Sequence, residues 1–120
     1  MEQSVLERIV FDGGGYIFSD RDVGDCAYVI QEGGVEFIKE SMAAEVLIGT
    51  IGKGGIFGEM ALVDDEPRMA ATRAKDKTTV ITIDSEVFTN KLSDSKPFVR
   101  GLLRNFCQKI RSTMARRLEI

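Results

Sequence analysis

The sequence contains no histidine and no tryptophan, and only two cysteines and two prolines among its 120 residues. Histidine is the usual acid or base near neutral pH and a common metal ligand. Its absence argues against histidine-based catalysis and against a histidine-clustered metal site. Cys26 and Cys107 lie far apart without metal-type spacing, which favours reduced thiols inside the cell. We therefore expect a protein that is not an enzyme and holds neither a metal nor a cofactor.

Long hydrophobic runs are absent as well. Residues 1–8 have neither a basic start nor an apolar run, and no later segment approaches the roughly 18 uncharged apolar residues of a membrane helix. We expect a cytoplasmic protein without a membrane span. A hydrophobic content of 43% with 8% aromatic residues is typical of one globular domain, here over residues 1–120.

Charge is distributed unevenly along the chain. Residues 1–95 carry 9 Lys and Arg against 18 Asp and Glu (net −9), whereas residues 96–120 carry 7 against 1 (net +6). The basic end is either an ionic patch for nucleic acid or anionic lipid, or a solvated helix face whose cations suit a helix C-terminus. Because no helix-turn-helix reader follows this segment, we expect no nucleic-acid partner.

Seven short apolar runs, separated by glycine-rich or polar turns, occupy the middle of the chain. Such a series is typical of a β-sandwich or barrel. The β-structure is expected over about residues 12–84, after a short helical lead-in at 4–10, with a tight hairpin at 31–34. The predicted strands are 16–18, 27–30, 35–38, 45–49, 55–57, 69–73 and 78–83.

Two helices are predicted after the last strand, over about residues 85–119. Asp84 and Ser85 can cap the first, and residues 93–95 precede a second that has Pro97 in its first turn. In the second helix, apolar residues recur at spacings of three and four and form one wide stripe. Its members are Val99, Leu102, Leu103, Phe106, Cys107, Ile110, Met114 and Leu118.

This apolar stripe has three interpretations: packing on the strands, pairing with a second copy of the chain, or closing over a bound ligand. Isolated amphipathic helices gain most of their stability from tertiary contacts, so part of the stripe should pack on the domain. We assign Phe106 and Ile110 to the core.

Residues 57–74 combine a glycine turn, one helical turn and a proline exit. Gly58 lets the backbone approach a ligand closely, and the first amides of the helical turn have no intrahelical acceptor, which suits a phosphate. Arg68, directly after Pro67, supplies a planar, permanently charged fork for the same anion. Glu59 can only accept hydrogen bonds at neutral pH, for example from a sugar hydroxyl. Together these residues favour a nucleotide over bare phosphate.

A simpler interpretation of the same residues is structural. Glu59 would then sit favourably at a helix start, and Arg68 would pair with Asp64 or Asp65 at the surface, worth about 0–1 kcal/mol. The flanking sequence distinguishes the two interpretations.

The strings FGEMAL (57–62) and PRMA (67–70) resemble the phosphate-binding cassette of the cyclic nucleotide-binding domain family. The string IFSDRDVGDCAYVI (17–30) resembles the strands that precede that cassette. The resemblance implies a mainly β fold with some α: an antiparallel, jelly-roll-like β-roll with a short cassette helix and C-terminal helices.

The resemblance also implies roles for individual residues. Arg68 would bind the cyclic phosphate and Glu59 the ribose 2′-hydroxyl. The phosphate cage would be completed around Gly58, Met60, Ala61 and Ala70. Candidates for contact with the base are Met69, Arg73, Arg111, Thr113 and Met114. Because Met69 has no hydroxyl to offer guanine, the ligand is expected to be cAMP rather than cGMP, although Arg73 near the base edge keeps cGMP open.

The function implied by the resemblance is that of a non-enzymatic sensor which signals through movement of its C-terminal helix. Its partners would be the cyclic nucleotide and either a second copy bound through that helix or an effector protein. One alternative is a ligand-free β-roll scaffold, with a filled pocket or a Glu59–Arg68 ion pair. Another is the sensory fragment of a longer transcription factor or channel.

Two expectations concern single residues. Arg21 replaces a glycine that the family usually has before the aspartate, so a positive φ there would strain it by about 1–2 kcal/mol and alter the turn. Arg68 is expected to be a ligand group and not a core residue, so that Arg68→Ala would leave the fold intact.

Overall fold

The computed structural model of the chain describes residues 6–41 and 44–118. The elements in this part of the chain are β1 (Arg8–Phe11), β2 (Tyr16–Phe18), β3 (Cys26–Glu32), β4 (Gly34–Ser41), β5 (Ala44–Gly52), β6 (Ile56–Phe57), α1 (Met60–Asp64), β7 (Ala71–Ala74), β8 (Thr78–Asp84), α2 (Ser85–Asp94) and α3 (Pro97–Leu118).

The strands form two four-stranded sheets. One has the order β1-β8-β3-β6 and the other β2-β7-β4-β5, and all neighbouring strands are antiparallel. Apart from the β4–β5 hairpin, each strand is followed by one in the opposite sheet. This confirms the predicted mainly β fold, an antiparallel β-roll with additional helices.

The core lies between the two sheets and ends at the cassette. Tyr28, Ile30, Val35, Phe57 and Val80 are buried together. The rings of Phe57 and Tyr28 stack at 4.9 Å between centroids. Burying a side chain of this size contributes about 1.5–3 kcal/mol. Phe57, the first residue of the 57–74 stretch, is therefore anchored in the core, and this fixes where the glycine turn begins.

Two predictions about the first half of the chain are wrong. The lead-in is not helical where it is described: Arg8–Phe11 is a strand that pairs with β8 and alternates in exposure, while residues 4 and 5 lie outside the described part. The turn at 31–34 is not a hairpin, because β3 and β4 lie in different sheets. Gly33, with φ of 87°, carries the chain across between them.

The C-terminal helices begin where their caps predict. The Asp84 side chain accepts a hydrogen bond of 2.7 Å from the amide of Glu86 at the start of α2, and Pro97 is the first residue of α3. The assignment of Phe106 and Ile110 to the core is wrong, since they are 49% and 45% exposed. Ile110 instead borders the cavity beneath α3 that is described below. None of the helices in the described residues is long and apolar enough to cross a bilayer.

Candidate functional site

The cassette stretch forms a turn, a short helix and an irregular return to the sheet. Gly58 has φ of 79°, and a Cβ atom there would lie 2.9 Å from Nη1 of Arg68. Only glycine fits this close approach. Helix α1 follows at once with Glu59 as its N-cap, and the strand predicted to start at residue 69 instead begins at Ala71. Met69 and Ala70 thus stay outside the sheet ladder, next to Arg68.

Arg68 lies inside the domain, with 4% of its surface exposed. Its Nη2 donates to the carbonyl oxygen of Cys26 at 2.8 Å and its Nη1 to that of Gly58, while its guanidinium carbon lies 4.1 Å from the centroid of the Phe18 ring. The expectation that Arg68 is not a core residue is therefore wrong. The surface pairing with Asp64 or Asp65 is wrong as well, because Arg68 is buried and Asp64 pairs with Arg111 instead.

One nitrogen of this buried guanidinium has no protein partner. Nε of Arg68 is inaccessible and makes no hydrogen bond within the described residues. Leaving a buried charged donor unsatisfied is costly, about 1–3 kcal/mol or more. An anion that moved the side chain toward the cavity and accepted a hydrogen bond from Nε would remove that cost.

The loop between β2 and β3 braces the arginine from the other side. A Cβ atom at Gly24 would lie 2.8 Å from Cβ of Ala61 and 3.1 Å from Cζ of Arg68, so only glycine lets the loop pack here. The amide of Arg68 donates to the carbonyl of Asp22, and that of Arg21 to the carbonyl of Arg68, both at 2.8 Å. Arg21 has φ of 73°, the positive value anticipated for this turn. Gly24 was missed as a site residue, although a glycine between Val23 and Asp25 was the available signal.

Glu59 is a half-buried carboxyl at the mouth of the turn. Burial raises its pKa above the ordinary glutamate value, while its own amide, the nearby charge of Arg68 and the amide of Met60 oppose the rise. Within the described residues, Glu59 forms no ion pair with Arg68. Its oxygens are therefore available to accept a hydrogen bond from a hydroxyl group.

A cavity of about 260 Å³ opens between the cassette, the β4–β5 sheet and α3. At one end it is lined by the predicted phosphate and ribose residues, and at the other by apolar side chains. The lining residues are Phe18, Phe37, Ile48, Ile51, Ile56, Phe57, Gly58, Glu59, Met60, Ala61, Arg68, Met69, Ala70, Ile110, Arg111 and Met114. Its polar side chains are Glu59, Arg68 and Arg111, so a bound molecule would meet charges at its anionic end and hydrocarbon elsewhere.

Helix α3 is held over this cavity by Arg111. Its Nε lies 2.6 Å from Oδ2 of Asp64, its Nη2 lies 3.1 Å from Oδ1, and its Nη1 donates to the carbonyl of Pro67 at 2.9 Å. Cys107, one turn earlier, is buried. Asp64 was missed as a partner, because its contact with Arg111 joins residues 47 positions apart.

Two residues predicted to contact the base lie elsewhere. Arg73 does not line the cavity: its guanidinium pairs with Glu36 at 3.2 Å and with Glu45 at 3.5 Å on the outer side of the β4–β7 sheet. Thr113 lines a neighbouring cavity with Lys109 and Val46, and that cavity shares Ile48, Ile110 and Met114 with the first. Strand alternation points the Arg73 side chain to the outer face of its sheet.

The fold and the site together define a ligand-binding β-roll, in which a buried arginine and a carboxyl share a cavity beneath a helix. Comparison with known families agrees. A family model described as the cyclic nucleotide-binding domain matches residues 8–95. The chain belongs to the cyclic nucleotide-binding domain family, and it is a regulatory ligand-binding domain.

Relatives give the same result. The chain is 34% identical over 95 residues to the cAMP-dependent protein kinase regulatory subunit of Emericella nidulans, covering 79% of this chain and 23% of that protein. Structures of the EAL enzyme Bd1971 are similar in their cAMP-bound form (TM-score 0.84, 30% identity, 91% of this chain and 30% of that one). The cGMP-bound form gives a TM-score of 0.83 at 30% identity, covering 88% and 28%. The chain thus spans about a quarter of the length of the curated relatives it matches.

Proposed function

We propose that this domain is a sensor that binds a 3′,5′-cyclic purine nucleotide in the cavity beneath α3. Arg68 would bind the cyclic phosphate together with the backbone around Gly58, Met60, Ala61 and Ala70, and Glu59 would accept from the ribose 2′-hydroxyl. The observation that carries the proposal is the buried Arg68, whose Nε has no protein partner, beside an open cavity.

The proposed contacts are sufficient for micromolar affinity. Hydrogen bonds to charged groups contribute about 1.5–3 kcal/mol each. Two or three of these at Arg68 and the cassette amides, together with burial of the base against apolar side chains, reach the −8.2 kcal/mol of a 1 μM dissociation constant. Binding costs reduce this sum, so submicromolar affinity would need further ordering of α3 over the ligand.

We propose cAMP as the preferred ligand. The base end of the cavity is lined by Ile48, Met69, Ile110 and Met114, and no serine or threonine of the described residues lines it. Guanine carries an amino group and a carbonyl group, and neither would find a side-chain partner there. Adenine carries one amino group and so leaves fewer polar groups unpaired. The proposed base contacts do not include Arg73, which pairs with Glu36, or Thr113.

We propose that the ligand acts on α3 through the Arg111–Asp64 ion pair. Asp64 ends the cassette helix and Arg111 belongs to α3, so a shift of the cassette on binding changes the geometry of this bidentate contact. Ile110 and Met114 on the same helix line the cavity and would contact the base. The ligand stabilises docked α3 over undocked α3 only by the difference between its binding free energies for the two positions.

We propose that this movement is transmitted through an apolar surface on α3. Phe98 is 76% and Phe106 49% exposed, next to Val99, Leu102 and Leu103, which are 37–41% exposed. An unpaired apolar helix face of this length is typical of a contact with another protein or a second copy. Because the chain spans about a quarter of its relatives, we propose that it regulates a longer protein. The ligand-free scaffold is not favoured, since the cavity is unfilled by side chains.

Ligand identification tests this function. Purified protein is denatured, and released small molecules are analysed by mass spectrometry; calorimetric titration with cAMP and cGMP follows. We expect cAMP binding at micromolar or lower concentration, with weaker cGMP binding. No heat and no change in melting temperature at millimolar concentrations of both nucleotides would overturn the proposal. Tighter binding of cGMP would overturn only the preference.

A further inference from the structure

A third cavity, of about 450 Å³, opens beside the cavity beneath α3 and is lined by three cations. Arg21, Lys39 and Arg111 border it together with Ile48, Met69, Met114 and Ala115. Four of these residues, Ile48, Met69, Arg111 and Met114, also line the cavity beneath α3. The two cavities therefore share a wall, and the three cations, here called the cationic rim, surround the cavity next to the proposed nucleotide site.

Two of the three rim cations are already neutralised. Lys39 pairs with Asp20 at 3.1 Å and donates to the carbonyl of Met69 at 2.9 Å. Arg111 is held by Asp64 in the bidentate contact described above. Arg21, in contrast, has no carboxylate within 4 Å in the described part of the chain and is exposed. The net positive charge of the rim therefore comes from Arg21.

The backbone places Arg21 at this position at a conformational cost. Its φ of 73° lies in the left-handed region that favours glycine, and Asp65 is the other described non-glycine residue with positive φ. Two hydrogen bonds hold the strained turn against the cassette: Arg21 amide to Arg68 carbonyl, and Arg68 amide to Asp22 carbonyl, each 2.8 Å. Glycine would adopt this backbone conformation without strain, so stability does not explain an arginine here.

We propose that Arg21 is a further affinity residue for the anionic ligand, acting at the rim rather than in the cassette. Its unpaired charge attracts the nucleotide phosphate to these two adjoining cavities and raises the association rate. Charges at the rim of a binding site characteristically change the association rate and its salt dependence, whereas buried charge pairs change dissociation. This inference rests on the proposed cyclic-nucleotide binding.

Three substitutions separate the charge of Arg21 from its backbone strain. Arg21→Gln removes the charge and keeps a side chain at the strained position. Arg21→Lys keeps the charge and the strain. Arg21→Gly removes both and should raise the melting temperature by about 4 °C or more, since it relieves a left-handed conformation.

Stopped-flow binding of a fluorescent cAMP analogue tests the proposal, with wild type and the three variants measured at 20 mM and 500 mM NaCl. At 20 mM, Arg21→Gln and Arg21→Gly should associate about three- to tenfold more slowly than wild type, with dissociation rates changed less than twofold. Arg21→Lys should stay within about twofold of wild type. At 500 mM the four proteins should converge, because exposed charges are screened.

Equal association rates of wild type and Arg21→Gln at 20 mM NaCl would overturn this inference while leaving the proposed function standing. A loss in Arg21→Gln that persists unchanged at 500 mM would overturn it as well, since the effect would not be electrostatic. Absence of any binding by wild type would overturn the proposed function and this inference with it.

Discussion

The contact between Asp64 and Arg111 is the most informative to break, because it joins the cassette helix to α3 across the proposed site. Asp64→Asn removes the negative charge while keeping the shape of the side chain. The pair is bidentate, at 2.6 and 3.1 Å, and its side chains are 13% and 22% exposed. Such a contact lies above the 0–1 kcal/mol of surface pairs and near the about 1.5–3 kcal/mol of charge-assisted hydrogen bonds.

The expected consequence is that α3 leaves the cavity more often. A loss of about 1.4 kcal/mol shifts the equilibrium between docked and undocked α3 roughly tenfold toward the undocked position, in which Ile110 and Met114 are removed from the base end of the cavity. We expect Asp64→Asn to bind cAMP about tenfold more weakly and to show faster amide hydrogen exchange over residues 103–116. Hydrogen exchange by mass spectrometry and calorimetry measure the two effects on the same samples.

Glu66→Gln is the matched control for this substitution. Glu66 lies in the same acidic loop, loses the same unit of charge, and is exposed, with no ion pair among the described residues. It should leave both exchange and affinity unchanged. The proposed coupling would be refuted if Asp64→Asn and Glu66→Gln gave the same exchange in α3 and the same affinity.

Three further predictions follow from the site. Because the pKa of Glu59 is raised in the folded protein, its ionised carboxylate lowers stability at pH values above that pKa, and this cost is absent below the ordinary glutamate pKa. Glu59→Gln should therefore raise the melting temperature at pH 7 but not near pH 3.5. The same variant should bind cAMP at least tenfold more weakly in calorimetry. Arg68→Lys should lower affinity by about a hundredfold and also lower the melting temperature, because a single ammonium cannot replace the fork that contacts Cys26 and Gly58; an unchanged melting temperature would contradict the structural part. Gly24→Ala should lower both stability and affinity, since its Cβ would lie 2.8 Å from Cβ of Ala61. The control is Gly101→Ala in α3, where a Cβ meets open space; its free energy of unfolding, measured in urea, should rise by up to about 1 kcal/mol.

The proposed site was predictable from sequence to the extent that it is local. Gly58, Glu59 and Arg68 lie within ten positions of one another, so one glycine turn and one short helix bring them together. The burial of Arg68 was not predictable in the same way. It depends on the Phe18 ring and the Cys26 carbonyl, which come from β2 and β3 and reach the cassette only once the two sheets have closed.

The C-terminal helix shows a different limit. Its 3–4 spacing identified an apolar stripe correctly, but periodicity does not indicate what covers such a stripe. Cys107 is buried against the domain, whereas Phe106, its neighbour in sequence, is 49% exposed. The lead-in strand β1 was missed because Val5, Leu6, Ile9 and Val10 also match a helical spacing, and pairing with β8 over four residues decided in favour of the strand.

The central claim is that the cavity beneath α3 recognises the cyclic phosphate of a purine nucleotide. Calorimetric titration of the wild-type domain with cAMP and, in parallel, with 5′-AMP tests it most directly, since the two ligands share base and ribose and differ in the ring and charge of the phosphate. We predict one binding site for cAMP at micromolar or lower concentration, with binding of 5′-AMP weaker by at least a hundredfold. Equal binding of both nucleotides, or binding of neither, would contradict the claim.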